Sequence, residues 1–321
     1  MTEIRATESV SGLDSFAAIQ GDGAETLATR LRKLEADGLT RPEWWYVMEK
    51  DNQPIGRVAY MTDSPLELDE HGGLIGEAPL ETALVGLWLR WGKDDAIYGP
   101  RLLAETTPQF ARFGPPVDAR VNSAVHDHPE KRRRVLEAVG FGLFQEKVGY
   151  LWRDDGEPIA QNDRLTFRTV SEVGPATFAA ALTRGITDTL DRNDRYFREL
   201  VGPERWGEEM LRFLGEGDEG SWRLAYDADD QLVGHVMLSS FDEEGVATVA
   251  HIGVVPEQRG KEYATDLLLR ASADARERGF REILSDVDVD NQPMRDAMVR
   301  AGHLPELREW HIWHYRYPSP R

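Results

Sequence analysis

His251, Asp286, Asp288 and the basic turn Arg259-Gly260-Lys261 are the residues of this chain whose types and spacing could do chemistry. His251 carries an imidazole whose ordinary pKa suits it to taking a proton near neutral pH. Asp286, Asp288 and Asp290 recur at period two, so on a strand they would share one face. There they could hold a cationic ligand or relay its proton through water. Each group also has a plainer reading: the histidine as a satisfied core or interface residue, the aspartates as a polar strand end that caps the next turn. Metal binding is not expected. The aspartate trio lacks the loop glycine and closing Glu of an EF-hand. His311 and His314 stand three apart in the strand-like run Trp310-His-Ile-Trp-His-Tyr-Arg-Tyr317, which puts them on opposite faces.

The turn does different work. Val246 to Val254 is a β-branched, apolar run of strand character that stops at Pro256, passes through Arg259-Gly260-Lys261, and enters the helical pattern from Ala264 to Arg270. A strand feeding a basic, glycine-containing turn and then a helix leaves several N–H groups without intrachain partners. With the positive end of the helix dipole they suit a phosphate-bearing ligand, although plain α/β scaffolds contain such corners too.

The chain has 321 residues, 40% of them apolar, nine Trp and no Cys. Such a length exceeds one typical core and implies two domains. The absence of cysteine rules out a disulfide framework, a thiolate metal site and a cysteine nucleophile, and fits a reducing compartment. No stretch approaches transmembrane length and the N-terminus has no apolar leader, so a soluble cytoplasmic protein is expected. A formal charge of −19 argues against nucleic acid and anionic membrane as partners. It would attract a cationic amine, or do no more than keep the protein soluble.

An internal repeat sets the organisation. Gln53-Pro-Ile-Gly-Arg-Val parallels Gln231-Leu-Val-Gly-His-Val, Ala83-Leu-Val-Gly-Leu parallels Ala250-His-Ile-Gly-Val, and Ala138-Val-Gly-Phe141 parallels Arg300-Ala-Gly-His303. Order is kept while loop lengths change, as in a tandem duplication of one α/β unit. The expected layout is a first domain over 1–155, a linker over 156–163 and a second domain over 164–321. In the first copy an opening strand at Glu3 to Ala6 precedes helical material from Leu13 to Ala36. Two strands follow within Trp44 to Tyr60, joined by an Asp-Asn turn, then a strand at Thr82 to Leu89, a helix from Glu130 and a last strand at Lys147 to Trp152. In the second copy a strand at Arg164 to Arg168 precedes one or two helices broken near Gly202-Pro203. A hairpin follows from Trp222 to Phe241 with its turn at Asp227 to Asp230.

With these elements in place, the pattern Val-x-Pro-x-x-Arg-Gly-x-x-x-Ala of Val254, Pro256, Arg259, Gly260 and Ala264 resembles the pyrophosphate loop of the GNAT superfamily of acyl-CoA N-acyltransferases. The strand Glu282 to Asp288, the segment Asn291 to Met294 and the turn Ala301-Gly302 follow in the same order, so the resemblance covers residues 164 to 317. It implies an α/β (α+β) fold: two tandem GNAT-like domains, each a mixed, mostly antiparallel twisted sheet flanked by helices. It also implies acetyl-CoA as co-substrate and transfer of its acetyl group to the primary amine of a small molecule by direct attack in a ternary complex. By resemblance, Ile252, Gly253 and Val254 would hold the pantetheine arm and polarise the thioester, and the N–H groups of Arg259, Gly260, Lys261, Glu262, Tyr263 and Ala264 would hold the pyrophosphate. Asn291 would contact the cofactor region, His251 and Asp288 are the candidate catalytic groups, and Tyr196, Phe197, Trp206 and Phe213 are candidates for lining the acceptor pocket or ordinary core.

Two positions depart from the family pattern. Glu262 stands where a Gly is usual, and its side chain is expected to turn to solvent or to pair with Lys261 or Arg295. Met298 stands where many members carry a Tyr that protonates the departing thiolate, and methionine has no proton to give. The first copy has Arg90-Trp-Gly-Lys-Asp-Asp95 in place of the phosphate turn, so it reads as a degenerate, supporting copy. The alternative function is a non-catalytic acyl-CoA-binding or scaffold protein, and a tandem enzyme of the mycothiol-synthase type is a third reading. Exposed aromatic strands would allow a homodimer.

Overall fold

The computed structural model describes residues 2–7, 12–19, 24–160, 163–214, 219–240 and 245–316. The chain forms two compact units: Met1–Phe144 with Trp310–Arg321, and Gln145–Glu309.

The first unit contains β1 (Thr2–Ala6), α1 (Leu13–Ala18), α2 (Ala24–Ala36), β2 (Trp45–Lys50), β3 (Gln53–Thr62), a small ribbon of β4 (Glu67–Leu68) and β5 (Leu74–Ile75), β6 (Thr82–Leu89), α3 (Asp95–Thr106), α4 (Pro108–Ala111), β7 (Val117–Asn122) and α5 (Pro129–Ala138). Between β2 and β3, Asp51 and Asn52 both take positive φ, 51° and 61°. That left-handed pair matches the twist of a tight hairpin, as the Asp-Asn signal implies.

The second unit holds most of β8 (Gly142–Arg153), then β9 (Thr166–Thr169), α6 (Val170–Val173), α7 (Pro175–Gly185), α8 (Arg192–Val201), α9 (Trp206–Leu214), β10 (Trp222–Tyr226), β11 (Leu232–Ser240), β12 (Val246–Val254), α10 (Tyr263–Glu277), β13 (Glu282–Asp288), α11 (Gln292–Arg300) and the start of β14 (Leu304–Tyr315). The helical region breaks not only at Gly202 but also between α7 and α8. Phe241, expected to end the hairpin, lies outside the described residues.

The two units share one plan. In the first the strand order is β1-β2-β3-β6-β7-β14, in the second β9-β10-β11-β12-β13-β8. Every neighbouring pair in each is antiparallel except β6–β7 and β12–β13, which are parallel. The sixth place differs from the expected boundaries. Lys147 to Arg153 pair with Asp288 to Glu282, so β8, read from sequence as the end of the first domain, completes the second sheet. Trp310 to Tyr315 pair with Asn122 to Val117 and complete the first. Residues 156–163, read as a linker between domains, therefore join two strands of one unit, β8 and β9. Strand alternation is the same whichever sheet accepts the strand, so the exchange leaves no local signature.

Helices cover both faces of the second sheet. Leu267, Ala271 and Ala275 of α10 pack on Val236, Leu238, Ala247 and Ile283. Phe178, Leu182 and Trp206 of α7 and α9 pack on the opposite side against Trp222, Leu224 and Met237. Neighbours Val236 and Met237 go to opposite faces, as pleating requires. Among the described residues, no helix is long and apolar enough to cross a membrane.

Candidate active site

Strand β12 has two different edges. Toward β11 it is paired along its length, from Ala247 opposite Ser240 to Val254 opposite Gly234, with Ala250 bulged out of register. Toward β13 the parallel ladder holds only Val246, Ala247 and Thr248, opposite Glu282, Ile283 and Leu284. Beyond Thr248 the strands part, and the backbone groups of Val249 to Val254 on that edge have no ladder partner. Unpaired backbone at the centre of a sheet must be satisfied by something else, and an extended, amide-bearing ligand arm has the right chemistry.

At the wide end of this gap the chain passes through Arg259, Gly260 (φ 78°), Lys261 and Glu262 (φ 64°, ψ 14°) into α10, whose N-terminus no side chain caps. The first N–H groups of a helix have no intrahelical acceptors, and the dipole favours an anion there. A Cβ on Gly260 would meet nothing within 4 Å, so the turn is open. Glu262 occupies a left-handed conformation that costs an L-residue about 1 kcal/mol and that glycine adopts freely. Its side chain, 67% exposed, turns to solvent with Arg300 Nε at 3.8 Å. Neither expected partner is used. Lys261 Nζ donates to Gln258 Oε1 at 2.6 Å, and Arg295 donates to Tyr150 Oη at 3.3 Å and to the Val289 carbonyl at 2.9 Å.

The Arg259 side chain is committed elsewhere. It donates to the carbonyls of Val254 at 3.0 Å, Gly185 at 3.2 Å and Asp188 at 3.3 Å, and to that of Thr187. It thus pins the end of α7 to the end of β12, and its backbone N–H donates to the Pro256 carbonyl at 3.3 Å, so the N–H groups that could meet a phosphate begin with Gly260 rather than Arg259. The cationic heads of Arg164 and Lys261 stand 5.1 and 6.0 Å from the Tyr263 ring centre. Ile252 and Ala264 pack in one cluster with Met298, which is 2% exposed. Asn291 accepts the Met294 N–H at 3.3 Å and so caps α11.

Ile252 and Val254 pack toward α10, and His251 lies on the other face. His235 stands opposite Gly253 on β11, and its ring fills the room that Gly253 leaves. His235 Nε2 lies 2.8 Å from His251 Nδ1, and His251 Nε2 lies 3.2 Å from both Asp194 carboxyl oxygens. Burial would hold the His251 imidazole neutral. The Asp194 carboxylate, by charge and hydrogen bond, outweighs this with help from Asp191 and raises it above the ordinary histidine value. Burial and the His251 charge push His235 well below that value. When protonated, His251 donates from Nδ1 to His235 and from Nε2 to Asp194. Both of its ring nitrogens are engaged.

The aspartates of β13 do not act as a trio. The strand ends at Asp288, and Asp290 lies in the turn before α11, its carbonyl accepting the Gln292 N–H at 3.0 Å. Asp286 is exposed and meets Lys147 Nζ at 2.6 Å. Asp288 is 6% exposed: Oδ2 accepts the Arg192 N–H at 2.8 Å, and Oδ1 accepts from Gln145 Nε2. Burial and the nearby Asp191 carboxylate raise its carboxyl to about 6, against the opposing pull of the Arg192 N–H, Lys147 and Gln145. Asp191 caps α8 by accepting the Asp194 N–H at 3.0 Å. The first turn of α8 thus gathers the parted strands, taking Asp288 of β13 at Arg192 and His251 of β12 at Asp194.

Asp194, Asp191, His235, Gln145 and Lys147 were not among the residues singled out from sequence. His235 sat in the repeat as its one ionisable difference from Arg57, and Asp191 with Asp194 in a helix-start pattern. Nothing local marks Gln145 or Lys147. Of the aromatics, Trp206 is fully buried with its ring 5.2 Å from His251, Phe197 packs on Trp206 at 6.4 Å, and Phe213 is 60% exposed.

The first unit has the same parted strands, joined only at Thr82 and Ala83, but they are closed from within. Arg132, 6% exposed, donates from Nη1 to the Leu87 carbonyl at 2.6 Å and from Nε to that of Asp127 at 2.9 Å. At the start of α3, Asp95 accepts the Gly92 N–H at 3.2 Å and pairs with Lys131 at 2.8 Å. A carboxylate already stands where an anion would bind.

Residues 187–303 match the model of the acetyltransferase (GNAT) family. No curated protein matches the chain. Among solved structures, a GCN5-related N-acetyltransferase from Sphaerobacter thermophilus is similar at 15% identity and TM-score 0.61, over 100% of this chain and 97% of that one. A tandem GNAT protein from the clavulanic acid biosynthesis pathway is similar at 15% identity and TM-score 0.59 over all of both chains. A glucosamine N-acetyltransferase region of a fungal multi-domain β-N-acetylglucosaminidase gives 13% identity and TM-score 0.63, over 98% of this chain and 38% of that one.

Proposed function

Because residues 187–303 match the acetyltransferase (GNAT) family model and the whole chain has the tandem GNAT fold, we propose that the second unit transfers the acetyl group of acetyl-CoA to the primary amine of a small molecule. The parted β12 edge beside the uncapped α10 carries this reading. Bound there, acetyl-CoA would supply a thioester carbonyl. Ile252, Gly253 and Val254 would offer their backbone groups to the arm, and residues 260 to 264 would offer N–H groups to the pyrophosphate.

Asp288 is the group we assign to take the amine's proton, directly or through water. A carboxyl held at about 6 is ionised at neutral pH yet more basic than an exposed aspartate. Each of its oxygens keeps a lone pair beyond the hydrogen bonds it accepts. His251 acts through Asp194: it holds the first turn of α8 across the gap and so fixes the Arg192 N–H against Asp288. Once Asp288 has taken the first proton, the attack forms the N–C bond and breaks the C–S bond, and the second proton leaves to water. Met298 cannot return a proton to the thiolate, which leaves as the anion or takes one from water.

Glu262 and the engaged nitrogens of His251 favour a second reading, an acyl-CoA-binding protein without turnover. Calorimetric titration with acetyl-CoA, followed by a release-of-CoA assay over a panel of amines, separates the two. Micromolar binding with turnover of at least one amine is expected; binding without turnover supports the second reading, and no binding refutes both. Glu262→Gly should tighten binding. A unit charge about 8 Å from two phosphate charges in water contributes about 1 kcal/mol, roughly sixfold in Kd.

A further inference from the structure

Gln145 belongs by chain order to the first half of the protein, yet it sits in the second unit's acidic corner. It is 2% exposed, and its Nε2 donates to Asp288 Oδ1 and, at 3.4 Å, to Asp191 Oδ1. Two carboxylates fix the amide's orientation, because turning it over would press its oxygen against theirs. The amide oxygen Oε1 is then buried with no hydrogen-bond partner among the described residues. An orphaned buried acceptor costs about 1–3 kcal/mol, so the corner lacks a donor. The donors around it are committed: Lys147 Nζ to Asp286 at 2.6 Å and near Asp191 at 3.7 Å, the Arg192 N–H to Asp288. Burial works against the Lys147 ammonium, but Asp286 and Asp191 outweigh it and hold the charge in place.

We propose that Gln145 Oε1, with the Asp288 and Asp191 carboxylates, forms the subsite for the nitrogen of a cationic amine bearing at least two N–H bonds, with Lys147 as its positioning residue. This deepens the acetyltransferase reading and rests on it for the identity of the acceptor. One N–H goes to the amide oxygen and another to Asp288, which takes the first proton and frees the lone pair; the second proton, lost as the N–C bond forms and the C–S bond breaks, leaves to water. Three carboxylates, Asp191, Asp286 and Asp288, face one ammonium, Lys147, so at neutral pH the corner favours a cation. A tertiary or quaternary amine has the charge but not the N–H bonds, and an alcohol has neither the charge nor a second proton to share. On this account the degenerate half of the chain contributes to specificity, because β8 carries both Gln145 and Lys147.

The test uses the full chain with 13C-labelled glutamine side chains and two probes of equal charge, methylammonium and tetramethylammonium. Methylammonium should shift the Gln145 amide carbon saturably, tetramethylammonium should not, and Gln145→Met should weaken methylammonium binding at least tenfold. Equal shifts from both cations would mean a plain counter-ion patch, and no shift from either would mean that a buried water satisfies Oε1; each overturns the proposal. Lys147→Met, with Lys147→Arg as the conservative control, removes the one competing ammonium and the group that holds Asp191 and Asp286, so it should raise the affinity for both cations and narrow the discrimination between them without moving acetyl-CoA affinity measured by calorimetry. If acetyl-CoA fails to bind the unaltered protein, the acetyltransferase reading falls, while the two probes still decide the subsite.

Discussion

Gly185→Ala sets two well-characterised effects against each other. Gly185 closes α7, and within a helix alanine is favoured over glycine by up to about 1 kcal/mol. Propensity alone therefore makes the substitution stabilising. The structure reverses the sign, because an added Cβ would stand 2.5 Å from His235 Cε1 and 2.8 Å from Nδ1. The imidazole has no retreat. Gly253 hems in the same edge of the ring, a Cβ there also falling 2.7 Å from Cε1 and 3.2 Å from the Gly185 carbonyl oxygen. His235 is stacked on His251 at 5.0 Å between ring centres and bonded to it at 2.8 Å. Overpacking of this kind costs roughly 1–3 kcal/mol. The expected net loss is about 1–2 kcal/mol, a fall in Tm of roughly 3–6 °C for a unit of this size. Thermal and urea unfolding followed by circular dichroism would measure it, with His235→Ala and the double variant completing a cycle. In the His235→Ala background the same Gly185→Ala change should be neutral or stabilising, since the new methyl enters vacated space. A single variant as stable as the unaltered protein would refute the packing argument.

Asp194→Asn tests the charge on His251. Because the folded imidazole is raised above its unfolded value of about 6.5, its contribution is complete below that pH and fades as pH rises through the raised folded value. The unaltered protein should lose stability relative to Asp194→Asn as pH rises above about 6.5 in urea titrations, and parallel pH profiles would refute the assignment. If the second unit binds acetyl-CoA as proposed, the closure of the first unit by Arg132 and Asp95 predicts a stoichiometry of one per chain. A calorimetric stoichiometry of two would show that these contacts yield to the ligand.

Much of the strand-turn-helix corner was legible in Val246 to Ala264, because the physics there is local: apolar β-branched residues, a proline stop, a basic glycine turn and a helix start. Even the departure at Glu262 was visible, although its left-handed φ was not. The repeat gave the two-copy plan, since equal runs with shifted offsets require no knowledge of pairing. The groups around His251 were less accessible. That His235 reaches it depends on a cross-strand register and on two glycines far apart in sequence, and that Asp194 reaches it depends on how α8 crosses the parted strands. Arg259 differed for a related reason: its N–H was expected to face a phosphate, but the short turn after Pro256 takes that N–H, and the guanidinium goes to backbone carbonyls that only tertiary geometry brings near. Gln145 and Lys147 were beyond reach because their strand crosses from one repeat to the other.

That crossing bears on synthesis at the ribosome. The edge of β7 is covered only when Trp310 to Tyr315 have been made, near the end of the chain. At bacterial or eukaryotic elongation rates the intervening stretch takes roughly 10–40 s, far longer than a small domain needs to fold. During that time the first-made half holds a strand edge open and its own β8 waits for a partner, β13, not yet translated. Nascent chains stalled before residue 310 should therefore be protease-sensitive across Val117 to Asn122, and the two halves can reach their final form only together.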